Sequence, residues 1–323
     1  MVVKSTIPTV DLSPFFDKGD DEDGKKKATE IITRACTESG FFQIVNHGVP
    51  LELMARAIDL SKTFFQYPTD EKLKWKPGPD APLPAGYNRQ PEHSSDKNEY
   101  LLLFVPSAGS ALASLNVYPE DPPEFRVVLE EICCQLSKTA SIVESILNEC
   151  MGLPENFLKE YNKDRSNDFM AALRYFPATA HGDDNGISEH EDGNCLTFVF
   201  QDDVGGLEVL KDGQWIPVTP TEGTIVVNVG DVIQVLSNGK LKSATHRVVR
   251  KEGKSRHSYA FFHNLDGEKW VEPLPQFTQE IGEGPKYRGF RYKDYQQLRL
   301  RNKTHPPSDP RDVIHISHYA IPP

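Results

Sequence analysis

Apolar positions along the first half of this chain recur at the period of a helix; along the second half they fall in short runs separated by turn residues. Ala28, Ile31, Ile32 and Ala35 share one helical face behind the charged stretch Asp20–Lys27, and Gly40 closes that helix. Phe41–Asn46 follows as a strand, and residues 5–12 read as another. Leu51–Phe65 repeats its apolar residues at helical spacing and stops short of Pro68. The longest stripe lies within Pro122–Cys150: Phe125, Val128, Leu129, Ile132, Leu136, Ile142, Val143, Ile146 and Leu147 predict a long helix facing the core. Residues 76–95, rich in Pro, Gly, Asn and Ser, predict a long loop of the kind that often serves function. Tyr292–Lys303, with Tyr295, Leu298 and Leu300, predicts a late helix ended by Pro306 and Pro307. The polar tail to Pro323 is assigned no chemistry.

From Phe169 onward the texture is that of strands. Phe169–Phe176, Leu196–Gln201, Leu207–Leu210, Ile225–Asn228, Ile233–Leu236, His246–Arg250 and Arg256–His263 are the expected ones. Gly205-Gly206, Asp212-Gly213, Asn238-Gly239 and Glu252-Gly253 punctuate them as turns. Many short strands between regular turns argue for a sandwich or barrel.

Bulk properties narrow the partners. The 323 residues suit two ordinary domains or one large barrel dressed with helices. Lys and Arg total 36 against 47 Asp and Glu, a net charge of −11 with no basic stripe, so nucleic acid is not an expected partner. No apolar run approaches the roughly 20 residues of a membrane span. The opening Met-Val-Val-Lys-Ser-Thr-Ile-Pro lacks the apolar core and cleavage site of a signal peptide. Cys36, Cys133, Cys134, Cys150 and Cys195 are an odd set with no CxxC pair. They read as free thiols of a reducing compartment, and the expected location is cytoplasmic.

The chemistry concentrates in five residues. His190 and Asp192 flank Glu191; on a strand, residues two apart project from one face about 7 Å apart, so one metal can be held by both. His246 comes 56 residues later, in the β-branched stretch Ser-Ala-Thr-His-Arg-Val-Val. Two imidazoles and a carboxylate leave about three positions open on an octahedral metal, the set with which non-haem Fe(II) takes a chelating oxoacid and then O₂. Arg256 follows ten residues on, with Ser258 two further. A guanidinium fork matches a carboxylate, and a hydroxyl on the same strand face binds its second oxygen.

In the order and spacing of these residues the chain resembles the plant-type 2-oxoglutarate/Fe(II)-dependent dioxygenases, the flavonoid, gibberellin, auxin and alkaloid oxygenases. The likeness extends through Ile7–Leu12, Glu38–Val49, Phe64-Phe65 with Pro68 and Glu71-Lys72, and Leu173–Pro177 to Tyr259–Phe262. It implies a mainly β fold with flanking helices: a double-stranded β-helix, or jelly roll, with an N-terminal α/β region. The implied parts are that region at 1–120, core-supporting helices at 121–165, the jelly roll at 166–280 and a C-terminal helix and tail at 281–323. It further implies an oxidoreductase with Fe(II) held by His190, Asp192 and His246. The cosubstrate would be 2-oxoglutarate, its distal carboxylate on Arg256 and Ser258, with ascorbate as a supporting reductant. O₂ and a small, mainly apolar or aromatic hormone or specialised metabolite would be the other substrates of a monomer. Hydroxylation, desaturation and demethylation all remain open.

The resemblance breaks at Leu173-Arg174-Tyr175-Phe176-Pro177. The family usually offers an Asn and a Tyr hydroxyl to the oxoacid where this chain has Arg174 and Phe176. Either the oxoacid is held by other groups, or Arg174 helps bind its carboxylate beside Tyr175, or Arg174 folds into a salt bridge with no catalytic part. Phe262 alternates with Arg256 and Ser258 and is expected to point into the substrate pocket, with Phe198 and Tyr87 as further lining; His257 is expected to point away. His47, His181, Asp183-Asp184 and Asp202-Asp203 read as turn or surface residues. Two other functions compete: an Fe(II) oxidase of the same structural family that does not use 2-oxoglutarate, and a non-enzymatic ligand-binding jelly roll.

Overall fold

A computed structural model describes residues 7–16, 21–78, 83–106, 111–179, 184–304 and 312–322. The front of the chain runs β1 Thr9–Asp11, α1 Glu22–Glu38, β2 Phe41–Val45, α2 Leu51–Gln66, α3 Thr69–Lys72, β3 Gly86–Arg89, β4 Asn98–Phe104, α4 Phe125–Cys150 and α5 Phe157–Tyr161. The back runs β5 Phe169–Tyr175, β6 Asn185–His190, β7 Leu196–Gln201, β8 Leu207–Lys211, β9 Gln214–Pro217, β10 Ile225–Val229, α6 Asp231–Leu236, β11 His246–Val249 and β12 Arg256–His263. It closes with β13 Trp270–Val271, β14 Phe290–Arg291 and α7 Tyr292–Thr304.

Strand alternation makes two cores. The larger sheet, in the order β1-β2-β10-β7-β12-β5-β4-β3, turns one face to the helices. There Phe198, Phe200, Tyr259 and Phe261 pack with Phe64, Leu129 and Ile132 of α2 and α4. Its other face looks toward the smaller sheet, β6-β11-β8-β9, and Ala171, Leu173, Val226 and Ala260 meet Leu207, Val209 and Val248 across the gap. The result is the expected double-stranded β-helix. On β12 the alternation sends Tyr259 and Phe261 to the helices and Arg256, Ser258, Ala260 and Phe262 into the gap.

Some expectations change. Ile233–Leu236, expected as a strand, is most of α6; Val232, Ile233, Val235 and Leu236 are all buried, and an unbroken apolar run has no period to separate helix from strand. The loop expected at 76–95 carries β3, paired antiparallel to β4 with Tyr87 opposite Leu101. His181 and Asp183 lie outside the described residues. His47 is a packed turn residue whose Nδ1 accepts from Val49 N–H.

A buried charge cluster ties α4 to the end of β12. His263 Nδ1 is 3.2 Å from Asp168 Oδ2 and its Nε2 3.0 Å from Glu144 Oε2. Burial alone would lower the imidazole, but the Asp168 and Glu144 carboxylates outweigh it and raise it above its ordinary value. A raised folded value means the contribution is complete below pH of about 6.5, the unfolded imidazole value, and is lost as pH rises through the folded one. His263→Gln is therefore expected to lower thermal stability most near pH 6, by roughly 3 kcal/mol, since Asp168 and Glu144 lose the imidazolium between them and Arg165 remains only on Glu144. The gap to wild type should narrow in alkaline buffer; melting curves across pH check it, and a gap that widens with pH would contradict it.

Candidate metal and cosubstrate site

Between the sheets lies a cavity of about 440 Å³ with His190, Asp192, His246, Arg256 and Ser258 all on its wall. β11 pairs antiparallel with β6 so that His246 lies opposite His190, their rings 4.3 Å apart. Strand β6 ends at His190, so Asp192 sits beyond it in the following turn. One ligand atom from each of the three residues falls within 4.8 Å of the others.

Each group is oriented by its other polar atom. His190 Nδ1 meets Ser188 O at 2.8 Å and His246 Nδ1 meets Ala244 O at 3.1 Å, which makes Nδ1 the protonated nitrogen and leaves Nε2 a lone pair. Asp192 Oδ2 accepts from Thr197 Oγ1 at 2.6 Å and Asn228 Nδ2 at 2.8 Å. Its Oδ1 faces the two Nε2 atoms at 3.6 and 3.8 Å. Burial would raise the Asp192 carboxyl, yet the two imidazoles when protonated, with hydrogen bonds from Thr197 and Asn228, hold it well below the carboxylate range; a bound cation would take the place of the Nε2 protons. An ionised carboxylate with two imidazole lone pairs is a donor set that fits a divalent cation. Gly230 packs against this turn so closely that a β-carbon there would meet Asn194 O at 2.1 Å and Asp192 O at 3.0 Å.

The anion end is also built from three elements. Arg256 guanidinium lies over the Tyr175 ring, 4.7 Å from its centroid. Its Nε and Nη2 donate to Gln201 Oε1 at 3.1 and 2.8 Å, and its Nη1 is 3.1 Å from Ser258 Oγ. With its other nitrogens engaged by Gln201, Arg256 shares Nη1 with Ser258 at the cavity wall. Tyr175 is buried, which pushes its phenol up, while Arg256 and Ser258 partly offset that. The hydroxyl missing at Phe176 is therefore present one residue earlier. A fixed cation, a hydroxyl and a phenol on one cavity wall fit the distal carboxylate of an oxoacid.

Three site expectations are corrected. Arg174 faces the helices: its Nη1 donates to Phe65 O at 2.7 Å and to the buried Glu99 Oε1 at 3.1 Å, and it reaches no part of the cavity. It is the salt-bridged alternative, because alternation on β5 can turn only one of Arg174 and Tyr175 inward. Tyr87 is 1% exposed and donates to Glu99 Oε2 at 2.6 Å; pairing with Leu101 places it on the helix face. Phe198 lies opposite Val227 and Phe261 in the helix-side core, and its neighbours Thr197 and Val199 line the cavity instead. Phe262 does line it, stacked on Phe169 at 4.5 Å. His257 points away, to Asp202 Oδ2 at 3.2 Å. Thr197, Asn228 and Gln201 were missed: none belongs to a local motif, and Asn228 meets Thr197 only through the pairing of β10 with β7.

Comparison with known proteins agrees with this geometry. Residues 167–265 match the 2OG-Fe(II) oxygenase superfamily, and residues 7–122 match the N-terminal region of the non-haem dioxygenases in morphine synthesis. The flavonol synthase/flavanone 3-hydroxylase of Arabidopsis thaliana is 32% identical over 301 residues, covering 91% of this chain and 86% of that protein. The 1-aminocyclopropane-1-carboxylate oxidase 5 of the same plant is 33% identical over 313 residues, covering 94% and 97%. Among solved structures, JOX2 in complex with 2OG, Fe and JA superposes with a TM-score of 0.82 at 29% identity, over 98% of this chain and 90% of that one. The dioxygenase for auxin oxidation in rice gives 0.75 at 26%, over 98% and 100%.

Proposed function

This chain belongs to the 2OG-Fe(II) oxygenase superfamily, and we propose that it oxidises a small, mainly apolar or aromatic hormone or specialised metabolite. It is a 2-oxoglutarate- and Fe(II)-dependent oxidoreductase. In the proposed assignment His190, Asp192 and His246 hold the iron, and Arg256, Ser258 and Tyr175 hold the far carboxylate of 2-oxoglutarate. When bound, iron and the oxoacid supply the oxidising power, with O₂ consumed and succinate and CO₂ released. The protein's own part is to orient the oxoacid, exclude water and place one C–H bond of the substrate.

The observation that supports the substrate class is the cavity wall away from Arg256. There Phe262 and Phe169 stack, and Leu83, Leu102 and Leu300 complete an apolar surface. Such a surface supplies affinity through area, with few polar groups setting orientation. The net charge of −11 disfavours polyanionic substrates. Flavonoids, alkaloids, auxin-like acids and diterpenoid acids all fit this description. Among the described residues no helix is long and apolar enough to cross a membrane. We place the enzyme in the cytoplasm, where its free cysteines fit a reducing compartment, and we take it to be a monomer.

A screen of plant metabolite extracts for products that need both Fe(II) and 2-oxoglutarate tests the proposal, with succinate release as the readout. A product formed without succinate would point to an oxidase that does not use the oxoacid. Once a substrate is found, Phe262→Ala is expected to lower its coupled turnover several-fold and leave the 2-oxoglutarate requirement nearly unchanged, because an inward aromatic acts through area and shape. Normal turnover by that variant, or a highly charged substrate, would overturn the pocket reading.

A further inference from the structure

Glu191 stands between the two ligand residues of the 190–192 turn, and its carboxylate is engaged by groups that supply no ligand. Thr245 Oγ1, adjacent to His246, donates to Glu191 Oε1 at 2.6 Å. His315 Nδ1, from the tail past α7, lies 3.0 Å from Glu191 Oε2. The backbone carbonyl of Glu191 accepts from Arg299 Nη2, and Arg299 Nη1 donates to Ile314 O at 2.9 Å. Asn302 closes the bracket, giving Nδ2 to Ile314 O at 2.7 Å and taking Ile314 N–H at 3.2 Å. On the other side of the turn, Tyr295 OH donates to Asp231 Oδ2 at 2.6 Å, and Asp231 N–H donates to Asp192 O at 2.7 Å.

Position explains why such bracing matters. His190 is fixed by the ladder of β6, but Asp192 lies past the strand end and has no strand partner. Its placement depends on what grips the turn, and ligand donors must be held to within about 0.5 Å for a metal site to work. The tail segment is itself anchored: Arg288 N–H donates to Tyr319 O at 2.7 Å, and the Tyr319 ring packs edge-on against Phe290 and Tyr295 at 4.8 and 5.4 Å.

We propose that Glu191 is a positioning residue through which the C-terminal segment 312–322 sets the geometry of the His190–Asp192 turn, so that iron affinity depends on a segment that contributes no ligand. The proposal rests on the iron assignment made above. Groups that orient metal ligands without touching the metal are typically worth about 10–100-fold in affinity.

Anaerobic Fe(II) titration of the apoprotein tests this, followed calorimetrically, with the apoprotein melting temperature measured alongside. Glu191→Ala and His315→Ala are each expected to weaken Fe(II) binding about tenfold with little change in apoprotein melting. The double variant should bind no more weakly than Glu191→Ala alone, because the His315 contact then has nothing to hold. His315→Gln, which keeps an N–H donor, should recover most of the loss. If His315→Ala binds Fe(II) as wild type does, the inference fails even where Glu191→Ala is weakened, since only the through-space charge of Glu191 would then be acting. Additive losses in the double variant, or a drop in apoprotein melting large enough to account for the weaker binding, overturn it as well. Asp192→Ala, run in parallel, separates the two readings. If that variant keeps wild-type Fe(II) affinity, the ligand assignment is wrong; if it loses iron while the Glu191 and His315 variants do not, only the bracing is.

Discussion

Asp192→Ala should still fold but retain iron poorly, and its 2-oxoglutarate turnover should fall by about three orders of magnitude, equivalent to about 4 kcal/mol of barrier. The carboxylate is the one anionic donor of the set, and it is aimed: Thr197 and Asn228 occupy Oδ2 and leave Oδ1 facing both imidazoles. Removal therefore deletes a ligand, strands the buried donor Asn228 Nδ2 and leaves Thr197 Oγ1 only its longer contact with Asn194 Oδ1 at 3.3 Å. The stranded donor should cost stability, roughly 1–3 kcal/mol, which is too little to unfold a domain of ordinary stability. Iron content after anaerobic reconstitution and succinate release check the result. A purified variant with full iron and full activity would move the metal site elsewhere.

Arg256→Lys is expected to raise the KM for 2-oxoglutarate about 10–100-fold while kcat at saturation changes much less. A hydrogen bond to a charged group is worth roughly 1.5–3 kcal/mol, and tenfold corresponds to about 1.4. An ammonium presents a single point charge where the guanidinium divides its work, Nε and Nη2 to Gln201 and Nη1 beside Ser258. The lysine is free to settle on Gln201 Oε1, away from the carboxylate. The face of Tyr175 that carries the flat guanidinium would also lose its partner. Steady-state kinetics of succinate release with varied 2-oxoglutarate decide it. An unchanged KM would place the anchor on other groups, and Arg174, bound to Glu99 and Phe65 on the far side of the sheet, cannot be among them.

What could be read from the chain alone is what depends on neighbours in sequence. Helical and strand periods are local, so Leu51–Phe65, Pro122–Cys150 and Arg256–His263 were foreseen nearly to their ends. The chemistry of His190, Asp192, His246, Arg256 and Ser258 was legible because type, order and spacing travel together in the sequence. Period alone says that Arg174 and Phe176 share a face; it does not say which face meets the cavity. That choice fell to sheet register, which turned Tyr175 inward and sent Arg174, Tyr87 and Phe198 to the helix side. The same holds for the supports of the site. Asn228 reaches Asp192 across 36 residues, and His315 reaches Glu191 across 124. No local pattern encodes such pairs, because they exist only once β10 has paired with β7 and the tail has docked on α7 and the turn that carries Asp192. The sequence determined which groups are the candidates for the chemistry; tertiary packing decided which of them face one another, because a side chain's direction is set by the surface its strand buries.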